Sequence, residues 1–326
     1  MKYDFITIGG ATEDVTFRTD QGVFFNDPDI PNQRMLAFRY GSKIRIKGAH
    51  STFGGGASNT AVNFSGLGFK TACLVAVGND DRAKKIKDNL KKKKVVVDCV
   101  QEKDRESGFS FLLVGPDNEH IVFSNRAANQ DLDIGEKEQE FIKSSGWVHI
   151  TSLSGKWKQN LKNIFSSAGE GRISWNPGHV QIQAGVRSLA PFLKKTGILF
   201  VNREEAIELL MSDKNHQDKG EEFYSKIKNL LLGLKDYGPS LVVVTRGKKG
   251  ADAYDGQDFY HQATIREERK IDTTGVGDAF NSSVVAGLNL YQGDIKKAMH
   301  LGARNTASVI AREGAQVGLL TKKELT

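Results

Sequence analysis

At 326 residues the chain is long enough for two small domains or one large α/β domain with an elaboration. Its 39% hydrophobic and 26% charged residues exclude disorder, and no uncharged apolar run approaches the ~18 residues of a spanning helix. The net charge of +7 would admit an anionic partner, but Lys84, Lys85, Lys87 and Lys91 to Lys94 fall in one segment without interleaved aromatics. That segment reads as a solvated helix face, so neither nucleic acid nor a membrane is expected as partner. Cys73 and Cys99 are too few for a disulfide scaffold, and no apolar leader follows Met1-Lys2. A cytoplasmic globular protein is expected.

The chain opens with YDFITIGG, a strand running into a glycine turn. Residues 15–53 then alternate polar and apolar positions around a proline-containing turn at 27–31. In this stretch SKIRIKG reads as a strand with Lys43, Arg45 and Lys47 on one face. A small-residue helix begins at Ala57, and TACLVAVG (71–78) reads as the next strand. Residues 105–124 look like a hairpin, with GFSFLLVG and EHIVFS flanking Pro116-Asp117-Asn118. Further strands are expected at WVHIT (147–151), RISWN (172–176), the ILFV run ending at Val201, and LVVVT (241–245). Helices are expected between them, including 156–168 and 221–234, the latter with Phe223, Ile227, Leu230, Leu231 and Leu234 on one face. Short apolar strands alternating with helices give an α/β fold with a mostly parallel sheet. The β segments at about 15–53 and 105–124 break that rhythm and suit a lid or a dimer surface on a single main domain, 1–326.

The strongest chemical signal is DTTGVGDAFNSSVVAGL, residues 272–288. Gly275, Val276 and Gly277 form a turn, and Asp278 reads as the start of a helix. Free N–H groups at such a turn attract anions, whereas a carboxylate there repels them. The pairing makes sense if Asp278 takes a proton from a hydroxyl while the turn stabilises a transferring phosphoryl group. The plainer alternative is an N-cap aspartate. The segment is neither a P-loop nor a GxGxxG fingerprint.

In FGGGASN, Gly54 and Gly55 permit close backbone approach, and Asn59 offers both a donor and an acceptor to hydroxyl-rich ligands. Asp14, just past the first strand, either clamps hydroxyls or serves a turn. Asn202 and Glu205 have the spacing of a capping box, or else lie near phosphates with Glu205 organising hydrated Mg²⁺. Thr245, Gly247 and Gly250 follow LVVV and suit a nucleotide-lining loop. The same GKKG matches the GxxG of a KH module, which motivates an RNA-binding alternative, although a strand precedes it rather than a helix. His149 and His179 read as ordinary packed or surface residues.

The ordered set resembles the ribokinase-like (PfkB) family of carbohydrate kinases from GGATEDV to REGAQVG. DTTGVGD resembles the family's DTxGxGD signature, and GGGASN its GGxxxN signature. The resemblance implies a central sheet flanked by helices, with a β lid that often serves in dimerisation. It implies Asp278 as base and Gly275 to Gly277 as anion hole. Asp14, Gly54, Gly55 and Asn59 would hold the acceptor, Asn202 and Glu205 the phosphate and Mg²⁺, and Thr245, Gly247 and Gly250 the nucleotide. Asp272, counted with the substrate residues, and Thr274, with backbone near Arg312 and Gly314, resemble a monovalent-cation site for K⁺. Thr151-Ser152-Leu153 lacks the acidic acceptor anchor common in the family. The expected reaction moves the γ-phosphoryl of ATP to a primary hydroxyl of a free sugar, then a nucleoside, then a sugar phosphate, in that order of preference. A homodimer through the lid is expected.

Overall fold

The computed structural model describes residues 2–26, 34–116, 120–169, 171–267 and 271–325. The expected turn at 27–31 and residues 117–118 of the hairpin turn lie outside them. The strands are β1 (Tyr3–Gly9), β2 (Thr12–Arg18), β3 (Val23–Asn26), β4 (Arg34–Ala37), β5 (Gly48–Gly54), β6 (Thr71–Val77), β7 (Gln101–Glu102), β8 (Phe109–Val114), β9 (His120–Asn125), β10 (Ser145–Ile150), β11 (Ile173–Trp175), β12 (Ile198–Asn202), β13 (Leu241–Thr245), β14 (Ala251–Tyr254) and β15 (Phe259–Gln262). The helices are α1 (Gly56–Gly66), α2 (Asp81–Lys92), α3 (Glu136–Lys143), α4 (Trp157–Ser167), α5 (His179–Gln183), α6 (Val186–Leu193), α7 (Arg203–Met211), α8 (Lys214–Gln217), α9 (Glu221–Ser225), α10 (Ile227–Lys235), α11 (Val276–Leu290) and α12 (Ile295–Ile310).

The described residues form a nine-stranded sheet in the order β15-β14-β13-β12-β11-β10-β1-β6-β7. It is parallel from β13 to β7, and β14 and β15 close one end antiparallel. Its inner strands are apolar on both faces because helices cover both. Ile6, Ile8, Leu74 and Trp175 enter one core layer, while Phe5, Phe200 and Val243 join Phe64 and Val284 in the other. The chain leaves β1 toward β6 on one side and reaches β10 on the other, so the strand order reverses between β1 and β10. In an open α/β sheet, ligands bind beyond the carboxyl ends of the strands at such a reversal.

The two β insertions pair with each other in a separate sheet of order β5-β2-β8-β9, beside a β3-β4 ribbon. Two sequence expectations fail. Residues 43–47 form no strand: they run as exposed irregular chain into β5, tied by Lys47 N–H to Arg18 O and by Thr19 Oγ1 to Arg45 O. The expected helix at 221–234 breaks at Lys226, whose extended backbone separates α9 from α10 while the Asn229 amide donates to Phe223 O. Apolar spacing continues through a break that reorients the axis, so periodicity alone does not reveal it.

The lysine-rich segment is the exposed face of α2, with Ala83, Ile86 and Leu90 buried beneath. Lys85 pairs with buried Glu13, and Lys87 with Glu102. Cys73 and Cys99 are buried free thiols. His149 is buried against Phe64 and Phe200, and burial holds its pKa at about 3, so it stays neutral. Among the described residues no helix is long and apolar enough to cross a membrane.

Candidate active site

A cavity of about 160 Å³ opens where the strand order reverses. Gly9 and Gly10, at the end of β1, meet Ser152 and Ser154 after β10, with Gly55 and Gly56 at the start of α1 between them. Thr12, Ser124, Arg126 and Asn129 complete the lining, Thr12 and Ser124 coming from the β5-β2-β8-β9 sheet. Asn129 holds the loop after β1 by exchanging two 3.0 Å hydrogen bonds with Ala11. Gln181 holds the loop after β10 by bonding both the N–H and the carbonyl of Leu153.

One turn into α1, Asn59 Nδ2 donates to Asp278 Oδ2 at 2.8 Å. Its own Oδ1 accepts from Gln316 Nε2 at 3.1 Å, and Gln316 is fixed in turn by Ser58 and Asn89. Asp278 is half-buried, yet close protein packing pushes its carboxyl pKa up, and the Asn59 donor only partly offsets this. A carboxylate with a raised pKa and one fixed neutral donor is suited to accept a proton.

Asp278 is not the N-cap. Gly275 fills that place in a left-handed conformation at φ 72°, and α11 begins at Val276, two residues earlier than expected. A Cβ on Gly275 would lie 2.4 Å from the Ala315 Cβ, so both conformation and space demand glycine. Among the described residues the N–H groups of Gly277 and Asp278 meet no acceptor, and the Cα of Gly277 faces open space. The positive end of α11 is therefore free to receive an anion beside the Asp278 carboxylate.

Asp14 is buried on β2, where Thr12 and Ser110 donate to it and burial pushes its pKa up. Gly54 packs so tightly over it that a Cβ would fall 2.0 Å from Asp14 Oδ2. Asp272 spans two turns, accepting from the N–H groups of Thr274 and Gly314. It brings the expected Thr274 and Gly314 positions together.

Asn202 and Thr245 end neighbouring strands and lie opposite each other in the sheet register, with Glu205 in the first turn of α7. Asn202 and Glu205 form a reciprocal capping box. Gly247 to Gly250 is a tight turn between antiparallel β13 and β14, closed by Arg246 N–H donating to Gly250 O. The GxxG match therefore joins two strands, without the helices a KH module needs.

No group of three potential metal ligands exists among the described residues. Glu205 is the carboxylate of the expected set that could face a Mg²⁺ bound by nucleotide phosphates and water. Burial and the neighbouring Glu204 and Glu208 push the Glu205 pKa up, a cost a cation would relieve. Neither Arg126 nor Gln316 is among the expected site residues, although Gln316 lies within REGAQVG.

The fold is that of solved ribokinases. The chain superposes on ribokinase from Thermotoga maritima with a TM-score of 0.80 at 18% identity, covering 99% of this chain and 98% of that one. A family model for pfkB family carbohydrate kinases matches residues 26–322, and the chain belongs to that family of kinases. It is 24% identical over 323 residues to the nucleoside kinase of Methanocaldococcus jannaschii, covering 96% of each chain. It is 23% identical over 332 residues to the ATP-dependent 6-phosphofructokinase of Thermoanaerobacterium thermosaccharolyticum, covering 98% of this chain and 91% of that one.

Proposed function

We propose that the chain transfers the γ-phosphoryl group of ATP to a hydroxyl of a small sugar-like acceptor. The observation that carries this reading is the Asp278 carboxylate beside unpaired N–H groups at the start of α11, held by Asn59. Asp278 removes the proton as the acceptor oxygen attacks phosphorus, the bond to the ADP oxygen breaks, and the N–H groups of Gly277 and Asp278 receive charge on the phosphoryl oxygens. Asp14, Gly54, Gly55 and Asn59 surround the acceptor, while Asn202, Glu205, Thr245, Gly247 and Gly250 border the nucleotide. Mg²⁺, when bound with ATP, neutralises phosphate charge near Glu205. Asp272 and Thr274 order the turn ahead of Gly275 and suit a monovalent cation.

The names of the two curated relatives span a nucleoside and a phosphorylated sugar, so kinship leaves the acceptor open. The test is ADP release by the purified chain with MgATP across sugars, sugar acids, sugar phosphates and nucleosides, beside Asp278→Asn. Acceptor-dependent release that the variant loses is the expected result. No release with any acceptor, or equal release by the variant, overturns the reading.

A further inference from the structure

The cavity at the strand reversal has one formally charged side chain in its wall, Arg126, and no carboxylate. Its guanidinium is half-buried and donates from Nη1 to Ser154 Oγ at 2.9 Å and Ser152 Oγ at 3.4 Å. Both partners are neutral. Elsewhere Arg18, Arg82, Arg105 and Arg246 each meet a carboxylate. Among the described residues no such ion pair includes Arg126. A guanidinium has five donors in a planar fork, and hydroxyls on Nη1 leave the rest of that fork for a ligand. The serines sit on the loop that Gln181 pins from both sides, so the fork is held in place before any ligand arrives.

The basic residues of SKIRIKG do not line this cavity. Lys43, Arg45 and Lys47 lie on the exposed chain ahead of β5, and Lys47 pairs with Asp20. Arg126 instead lines the same cavity as Gly55 and Gly56, which lie one helical turn before Asn59 and its partner Asp278. An acceptor reaching from this cavity past Gly55 and Gly56 to Asn59 would place one end at the base and the other at the guanidinium.

We propose that the acceptor carries an anionic group, a carboxylate or a phosphate, at the end away from its reacting hydroxyl, and that Arg126 recognises it. This rests on the kinase reading above and reverses the preference for a free sugar that the sequence alone suggests. Charge-assisted bidentate pairing with a carboxylate or phosphate accounts for an arginine where a neutral sugar would need only hydroxyls and amides.

The test is equilibrium binding by calorimetry, which needs no turnover, with matched pairs: gluconate against glucitol, and fructose 6-phosphate against fructose. Each is titrated into the whole chain, Arg126→Gln and Arg126→Lys. The expected result is that one anionic ligand binds about 10- to 100-fold tighter than its neutral partner. That ratio should fall toward one in Arg126→Gln and recover in part in Arg126→Lys. Which pair shows the effect separates carboxylate from phosphate. A ratio near one in both pairs for the wild-type chain overturns the proposal, as does a ratio that Arg126→Gln leaves intact while weakening both partners, the mark of a purely structural arginine. Absence of ADP release with every acceptor would overturn the kinase reading instead, and the binding ratios would still be read.

Discussion

Asn59 Nδ2 and Asp278 Oδ2 stand 2.8 Å apart and join the first turns of α1 and α11, helices separated by more than 200 residues of chain. The contact fixes the amide so that its NH₂ faces the carboxylate, because Gln316 already donates to the amide oxygen. Both glycine-rich turns thereby converge on one carboxyl group.

Replacing Asp278 by Asn should cut kcat by about 10²-fold or more, because the base is lost while the helix terminus remains. The same variant should melt at a higher temperature at neutral pH. Burial raises the Asp278 pKa in the folded state, so folding favours the protonated carboxyl. The stability this confers is full below the ordinary carboxylate range and lost as pH rises through the raised pKa. The difference in melting temperature between variant and wild type should therefore shrink on acidification, and wild-type kcat/KM should fall on the acid side above the usual carboxylate range. Melting curves and rates across pH check both; a variant that turns over normally removes the assigned role.

The two turn glycines should separate structure from catalysis. Gly277→Ala places its Cβ in open space, so folding should be kept or slightly improved while kcat drops at least about tenfold, since that space lies where the phosphoryl group must approach. Gly275→Ala forces a left-handed alanine against Ala315 and should cost about 1–2 kcal/mol or more in stability. Urea unfolding and initial rates on both variants distinguish the effects. Full activity in Gly277→Ala would make the turn only structural.

Gln316→Ala should lower kcat more than it raises KM, because it frees the Asn59 amide to rotate away from Asp278 without removing either group. Gln316→Glu, which can no longer donate to Asn59 Oδ1, should behave alike, and a pH–rate profile should show the acid limb displaced. An unchanged profile in both variants would confine Gln316 to packing.

How much of this could be read beforehand follows the physics of each signal. The parallel strands were legible because burial on both faces writes them as unbroken apolar runs, as in Leu241 to Val244. Asp278, Gly275 and Asn59 were legible because their chemistry demands fixed residue types at short spacing. SKIRIKG misled because alternation specifies a strand only where a partner edge and a buried face exist, and residues 43–47 have neither. Arg126 and Gln316 were silent. Each acts through contacts made across the fold, with Ser152 and Ser154 in one case and with Ser58, Asn59 and Asn89 in the other.

The turn ahead of Gly275 should respond to monovalent cations. Asp272 already draws Thr274 and Gly314 together, and a cation there would reinforce the geometry that presents the Gly277 and Asp278 N–H groups. Replacing Na⁺ or an organic cation by K⁺ at constant ionic strength should raise kcat, and Asp272→Asn should abolish the difference. Rates indifferent to the cation would restrict Asp272 to a structural role in these turns.

The lid offers the last prediction. Phe111 of β8 lies directly opposite Phe123 of β9, and both are exposed, together with Ile121 and Val122 on β9. Among the described residues β9 pairs only with β8, leaving an apolar strand at the margin of its sheet. Such an edge invites association unless another chain covers it. The expected occupant is a second copy of the same lid, giving a homodimer that also shields β9, which leads directly into Arg126. Phe123→Glu places a charge at the centre of this surface and should convert the dimer to monomer in sedimentation velocity. Phe111→Glu, opposite it, should do the same. A wild-type chain that sediments as a monomer at micromolar concentration, or a dimer that survives both substitutions, would show that no second copy covers this edge.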